Sequence, residues 1–535
     1  MKLIADATEK KKTGTYYTSK EVADFIVRRL LGRDNLGRVL EPSVGGGVFV
    51  DSIIASEKQF EALTCIEIDE SASKAFGERY KDNPLIENIT GDFLAFYRKH
   101  PDSRFDTIIG NPPYVRYQYL SNSGRSDVTG ILSRNGMAPN RLTNLWVPFV
   151  IACENMLSET GILAFVVPAE LLQVGYAADL RRFLLERFAT IDVFAFRHLL
   201  FPNLQQETIL LVCRKNATQK GLRVIESENI DSLRQIQQIT DGYVFPSAEE
   251  KWTVFLHDGH DGAEIPFVPL STYGDVSVGV TTGANAYFSV TEDVIDKYGL
   301  QKYVKPLLGK SNQARCCCFT QRDHLENRAK KRRADLLVLQ DKDEISFPDS
   351  VREYLSLGVK KEIHKGYKCS IRDHWYSIPS IWYPDLFFQR RCGANPKLVL
   401  NGCGAISTDT MHRVKIKESV DARLLTLAFY NSVTFASAET EGRSYGGGVL
   451  EILPSEAERV LVPNLARIRD IEIQTMFLTV DRLIRENDSY IPALDYVDQV
   501  ILIEKLGMNP DVVMAYREKW LALSKRRLER GTSED

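Results

Sequence analysis

The chain lacks most features that assign a protein to a class at a glance. No apolar run approaches the roughly eighteen residues that a bilayer-crossing helix needs, so no membrane span is expected. The first twenty residues, MKLIADATEKKKTGTYYTSK, hold no apolar stretch of the secretory kind, and no signal peptide is expected. Cysteine is sparse, with nine in 535 residues, scattered except for Cys316–Cys318. An odd, irregular set gives no disulfide framework and suits a reducing, cytoplasmic setting. Three adjacent cysteines cannot all face one tetrahedral ion, and no paired Cys or His follows at finger spacing, so no metal is expected. Neither charge sign dominates: 68 Lys and Arg stand against 71 Asp and Glu, a net charge of −3. That balance neither favours nor excludes a nucleic-acid partner, because a local basic surface decides binding. There is no internal repeat, no Gly-x-Gly-x-x-Gly dinucleotide fingerprint and no phosphate-loop lysine. Scattered acids such as Asp102 and Asp106 form no nuclease cluster.

What is present is an alternation of strand and helix patterns over the first 215 or so residues. VADFIVRRLL (Val22–Leu31) has helical apolar spacing. RVL (Arg38–Leu40), LTCIEID (Leu63–Asp69), FDTIIG (Phe105–Gly110) and GILAFVVP (Gly161–Pro168) are short β-rich runs, with helix-like SASKAFGERY and WVPFVIACENML between them. This order predicts an α/β domain with a mainly parallel, Rossmann-like sheet covered on both faces. Ligands of such sheets collect at the carboxyl ends of the strands, where Glu41, Glu67, Asp92 and Asn111 would lie. Beyond Asn216 the pattern becomes mixed α+β. DSVREYLSLGVKKEI reads as a helix, QARCCCFTQRDHLENRAKKRRADLL as a helix or a mobile surface segment, and two helices close the chain. The expected domains are 1–245, 246–462 and a helical segment 463–535.

VLEPSVGGGVFVDSI sets Gly45–Gly47 between a strand and a helix, a turn that lets backbone approach a ligand. Glu41 beside it would repel polyphosphate, so a cationic or hydroxyl-rich ligand suits the site. Glu67 and Asp69 end the next strand, where a carboxylate commonly accepts from both ribose hydroxyls; a solvated strand end is the plainer alternative. Asp92 could accept from an exocyclic amine, and Phe93 either covers a purine or belongs to the core.

NPPY (Asn111–Tyr114) follows the FDTIIG strand directly. An aromatic amine is a poor nucleophile because its lone pair is delocalised. Hydrogen bonds accepted from both of its N–H groups favour a pyramidal nitrogen whose lone pair can reach an electrophilic carbon. Asn111 supplies one acceptor through its side-chain oxygen. The Pro112 carbonyl supplies the other, because Pro113 restricts the residue before it to extended backbone. Tyr114 can stack on the target base. The tetrad thus forms an acceptor pair suited to a positive charge developing on nitrogen.

TGTYYTSKEVADFI, VLEPSVGGGVF, IEID, GDFLAF, NPPY and GILAFVVP occur in the order that resembles the gamma-class DNA adenine-N6 methyltransferases of bacterial type II restriction–modification systems. The resemblance covers the first 215 or so residues and implies S-adenosylmethionine as cofactor and duplex DNA as partner. It gives Tyr17, Thr18 and Ser19 to the methionine end of the cofactor, with Glu41, Gly45, Gly47 and Pro113 alongside. Glu67 would hold the ribose, Asp92 the adenine amino group and Phe93 the adenine ring. Asn111, Pro112 and Tyr114 would hold a target adenine turned out of the duplex, with Phe201 on its other side.

TTGANAYF, KGYKCSIRDHWYSIP and GRSYGGGVLEILPSEAERVLVP resemble the family's target-recognition region. From Lys302 to Arg333 ten Lys or Arg face two acids. Lys330, Lys331, Arg332 and Arg333 are therefore candidate phosphate contacts, a solvated surface being the alternative, together with Lys365, Lys368 and Arg372. Arg443 would reach a base edge or a phosphate. A separate restriction endonuclease would be the functional companion. The oligomeric state is open, and a monomer is compatible with the reading. Cytosine-N4 methylation, an RNA or protein-glutamine methyltransferase, and a non-catalytic DNA-binding module are the competing readings.

Overall fold

In the computed structural model the strands of the first half pair into one sheet of eight, in the order β3-β2-β1-β4-β5-β7-β6-β8. The structure describes residues 18–532 except 116, 139–142, 175–176, 197–199, 201–206, 236–241, 247–250, 253–264, 340, 446–447 and 470. The strands are β1 (Arg38–Glu41), β2 (Ala62–Glu67), β3 (Ile86–Thr90), β4 (Phe105–Gly110), β5 (Leu157–Pro168), β6 (Thr190–Phe196), β7 (Thr208–Arg214) and β8 (Gly221–Ser227). All neighbours are parallel except β7, which runs antiparallel to both β5 and β6. The apolar runs are buried on both faces: β2 from Leu63 to Glu67, β4 from Thr107 to Gly110, and β6 throughout.

The chain winds outward from β1 through β2 to β3, then returns to place β4 on the other side of β1, with Val39 opposite Thr107 and Glu41 opposite Cys65. The carboxyl ends of strands at such a reversal, here β1 and β4, are where open α/β sheets take ligands. Helices start directly after the strands because polar side chains cap them. Asp69 Oδ1 accepts from Ala72 N at 2.8 Å, and Asp92 Oδ1 accepts from Ala95 N at 2.8 Å.

The VADFIVRRLL pattern is a helix, Lys20–Phe25, continued by a π-helical stretch Ile26–Leu30 that buries Ile26, Val27 and Leu30.

The chain divides into two compact units, 1–258 and 259–535. The second holds a five-stranded sheet and smaller sheets, with helices at Asp349–Lys360, Ile473–Glu486 and Pro510–Thr532. Thr320 caps a helix Gln321–Ala329 and Lys330 and Lys331 form the turn after it, with short strands Cys318–Phe319 and Asp335–Leu337 on either side, so the charged segment is ordered as strand, helix and turn. The closing helices share one core with the helices Ala422–Phe429 and Ser432–Glu441, through residues such as Phe435, Val480, Leu494 and Trp520. Compactness thus joins segment 463–535 to what precedes it. The division into a recognition region and a helical segment stands as a proposal about function.

All nine cysteines are free, seven buried and Cys318 and Cys403 half-buried. Among the described residues no helix is long and apolar enough to cross a membrane.

Candidate active site

At the end of β1, Glu41 is 1% exposed, and neither of its carboxylate oxygens has a hydrogen-bond partner among the described residues. Burial pushes its carboxyl well above the ordinary carboxylate range, and the neighbouring charges of Glu67 and Asp51 push the same way. An acid placed like this is unstable as an anion until a donor or a cation meets it.

Glu67, at the end of β2, is held instead. Its Oε2 accepts from Gly45 N at 2.7 Å and its Oε1 from Asp69 N at 2.8 Å. The glycine turn is therefore tied to the end of the neighbouring strand. Gly45 and Gly47 have φ of +53° and +78°, a region that other residues avoid. A Cβ on Gly47 would stand 2.8 Å from the ring of buried Phe76, so the turn has no space for a side chain there. Asp92, after β3, spends Oδ1 on its helix cap, leaving Oδ2 to an outside donor.

Asn111 follows β4. Its Nδ2 donates to Thr18 Oγ1 at 3.2 Å, and its backbone carbonyl accepts from Ser43 Oγ at 3.0 Å. Pro112 is buried and Pro113 half-buried. Tyr114 is 7% exposed, with its hydroxyl donating to Val166 O at 3.1 Å, so its ring is fixed against β5. Phe93 is 2% exposed and packs on Phe149 with ring centroids 4.9 Å apart, which places it in the core. Ser19 caps the first helix, accepting from Val22 N at 3.4 Å. Tyr17 and Phe201 lie outside the described residues.

Glu41, Glu67, Asp92 and Asn111 thus lie at or just beyond the ends of β1, β2, β3 and β4, Thr18 reaches Asn111 from the start of the first helix, and Phe93 belongs to the core. The sequence reading missed Ser43, whose partner lies 68 residues away.

In the second unit the predicted basic residues differ in how they are held. Lys330 and Lys331 are exposed and face Glu326 at 4.0 Å and Asp293 at 3.5 Å. Such surface pairs contribute little. Lys365 and Lys368 are exposed, with Lys365 beside Glu362. Arg332 donates to Asn327 Oδ1 at 2.9 Å and Asn312 O at 3.2 Å, and Arg333 is exposed.

Arg372 is engaged by the carbonyls of Thr281, Thr282 and Trp375. Arg443 donates to Glu456 at 2.6 Å, a carboxylate whose side chain is 3% exposed and which also accepts from Leu453 N. Both guanidinium groups thus serve the fold in this structure. Arg443→Ala is expected to lower unfolding free energy by about 3 kcal/mol, since it strands a buried carboxylate, and urea denaturation would read the loss.

Two family profiles match the chain. Residues 52–201 match the Eco57I restriction-modification methylase and residues 262–502 the C-terminal domain of Type II methyltransferase M.Eco57I. The chain carries Eco57I-type restriction-modification methylase domains. Among the relatives of this Eco57I-type chain, Type II methyltransferase M.AccI of Acinetobacter calcoaceticus is 23% identical over 523 residues, spanning 92% of this chain and 93% of that one. M.XamI of Xanthomonas campestris pv. amaranthicola is 23% identical over 477 residues, with 85% and 86% covered. Among solved structures, the type IIG restriction endonuclease BpuSI aligns at a TM-score of 0.41 and 13% identity, over 97% of this chain and 67% of that one.

Proposed function

We propose that the chain is a site-specific DNA methyltransferase that places a methyl group on the N6 amino group of an adenine turned out of duplex DNA, using S-adenosylmethionine. The observation that carries this is the convergence of Glu41, Glu67, Asp92 and Asn111 at the strand ends around the β1/β4 reversal of an Eco57I-type methylase domain.

The residues fit the cofactor. Glu41 is a buried carboxyl, without a hydrogen-bond partner among the described residues, that a positive or donating group would satisfy, and the Gly45–Gly47 turn offers backbone with no side chain in the way. Glu67 retains lone pairs for ribose hydroxyls while two backbone amides hold it in place. Asp92 Oδ2 suits an exocyclic amine. When bound, the cofactor supplies an electrophilic methyl group on a sulfonium.

Asn111 and the Pro112 carbonyl accept the two N–H groups of the target amine, so that its lone pair turns out of conjugation and forms the new N–C bond as the C–S bond breaks. The electron pair of the broken bond would stay with the departing thioether, and the extra proton on nitrogen would leave to water afterwards. Tyr114, anchored on Val166, offers an immobile uncharged surface to the base. The enzyme's restriction partner would be a separate endonuclease.

Incubation with labelled cofactor and duplexes of varied sequence, followed by digestion to nucleosides, tests the reading. Label in N6-methyl-2′-deoxyadenosine is expected. Label in N4-methylcytosine would transfer the assignment to the cytosine-N4 reaction, and an absence of label would defeat the enzyme reading.

Among the described residues the acidic partners of Lys330 and Lys331 are Glu326 and Asp293, both weak surface contacts. If both meet phosphates, the double Lys→Ala variant should reduce the slope of log affinity against log salt by about 2, measured by fluorescence anisotropy.

A further inference from the structure

We infer that Ser43 is a positioning residue for the NPPY tetrad, with Thr18 as its counterpart on the side chain. The inference rests on the acceptor-pair reading above.

The two acceptors, the Asn111 side chain and the Pro112 carbonyl, are joined by few rotatable bonds. The proline ring fixes φ at residue 112, and Pro113 holds ψ at residue 112 in the extended range. The peptide bond between residues 111 and 112 is planar. Pro112 likewise confines ψ of Asn111 to the extended range, so what is left between the acceptors is the setting of that torsion within the range and the side-chain torsions of Asn111.

Strand pairing does not set ψ at Asn111. The register of β4 against β5 ends at Gly110 opposite Phe165, one residue earlier. The peptide that follows lacks an N–H because its nitrogen is proline's, so its carbonyl is its only handle. That carbonyl is the group that Ser43 Oγ grips at 3.0 Å. A carbonyl can only accept, so the direction of the bond is unambiguous.

Ser43 is placed to do this because the two strand-end loops press together. A Cβ on Gly110 would lie 3.4 Å from Pro42 Cδ and 3.9 Å from Glu41 Cγ. On the other side, Thr18 receives Asn111 Nδ2 at 3.2 Å and so restrains the amide plane. Main chain and side chain of Asn111 are thereby fixed from two separate segments, the glycine-turn loop and the entry to the first helix. Neither contact touches the transferred group, and both set the distance between the acceptors. Preorganisation of this kind acts on the rate more than on binding.

The test is Ser43→Ala, with Ser43→Thr as the variant that keeps the hydroxyl, on the full chain. Loss of one such bond should slow single-turnover methyl transfer at saturating cofactor and DNA on the order of tenfold. Cofactor affinity by calorimetry and DNA affinity by anisotropy should stay at wild-type values, and Ser43→Thr should recover most of the rate. Thermal melts identify any variant that fails to fold, in which case Ser43→Cys, close in size and a weaker donor, supplies the same rate test.

A wild-type rate in Ser43→Ala would overturn the inference. So would a loss of affinity that accounts for the whole effect, or hydroxyl-retaining variants as slow as those without one. Failure of the wild-type chain to methylate DNA at all is a different result, which removes the acceptor-pair reading itself.

Discussion

The Asn111→Ala chain is expected to methylate DNA on the order of a thousandfold more slowly than the wild type while binding cofactor about as well. Asn111 follows β4, whereas the groups that would hold the ribose and adenine of the cofactor follow β2 and β3, and its side chain is oriented by Thr18. Removing it deletes one of two acceptors that act on an amine gaining positive charge, in a site where fixed dipoles count for more than in water. Rapid-quench methyl incorporation measures the first quantity and calorimetry the second. Equal losses in both would mean that Asn111 supports the pocket and does not act on the amine.

Glu41→Gln should have the opposite pattern, weakening the cofactor while strengthening the empty protein. The buried carboxylate has no hydrogen-bond partner among the described residues, and burial is the leading cause of its raised pKa. Between its ordinary value of 4.5 and its higher folded value, the native chain holds a proton that the unfolded chain has released. The stability from that proton is complete at acid pH below the ordinary value and is lost as pH rises through the folded value.

Unfolding of the wild-type chain without cofactor should therefore show stability falling with pH across this window. In Glu41→Gln that component of the slope should vanish, leaving a higher melting temperature at neutral pH. Replacing a charged acceptor with a neutral one should raise the cofactor dissociation constant about tenfold to a hundredfold. A less stable variant with unchanged affinity would give Glu41 a structural role.

The parts of this site that local sequence could show are those encoded by local rules. A buried strand is a short apolar run, and the residue that ends it is at the carboxyl edge by definition. Glu41, Glu67 and Asn111 were therefore placeable without knowing how the strands pair. The glycines at 45 and 47 announce a turn because few other residues take their φ.

What local sequence could not show is pairing at a distance. Ser43 meets a carbonyl 68 positions away, and the Tyr114 hydroxyl meets one 52 positions away. Arg372 and Arg443 look like any basic residue near aromatics and glycines. Their commitment depends on carbonyls of Thr281 and Thr282 and on a buried Glu456, which only the folded chain brings near. The same applies to the closing helices, whose amphipathic pattern was plain but whose partners at Ala422–Phe429 and Ser432–Glu441 were not.

The buried thiols have a practical consequence. Burial raises the pKa of every one of them, and even half-covered Cys318 and Cys403 reach about 11. Alkylating reagents attack the thiolate, which is scarce for all nine at neutral pH. A cysteine introduced at an exposed position such as Tyr119 would react with a maleimide dye ahead of the resident ones. The protein can thus carry a fluorophore a few residues beyond the NPPY tetrad without first being stripped of its own sulfur, and base extrusion could be followed by light.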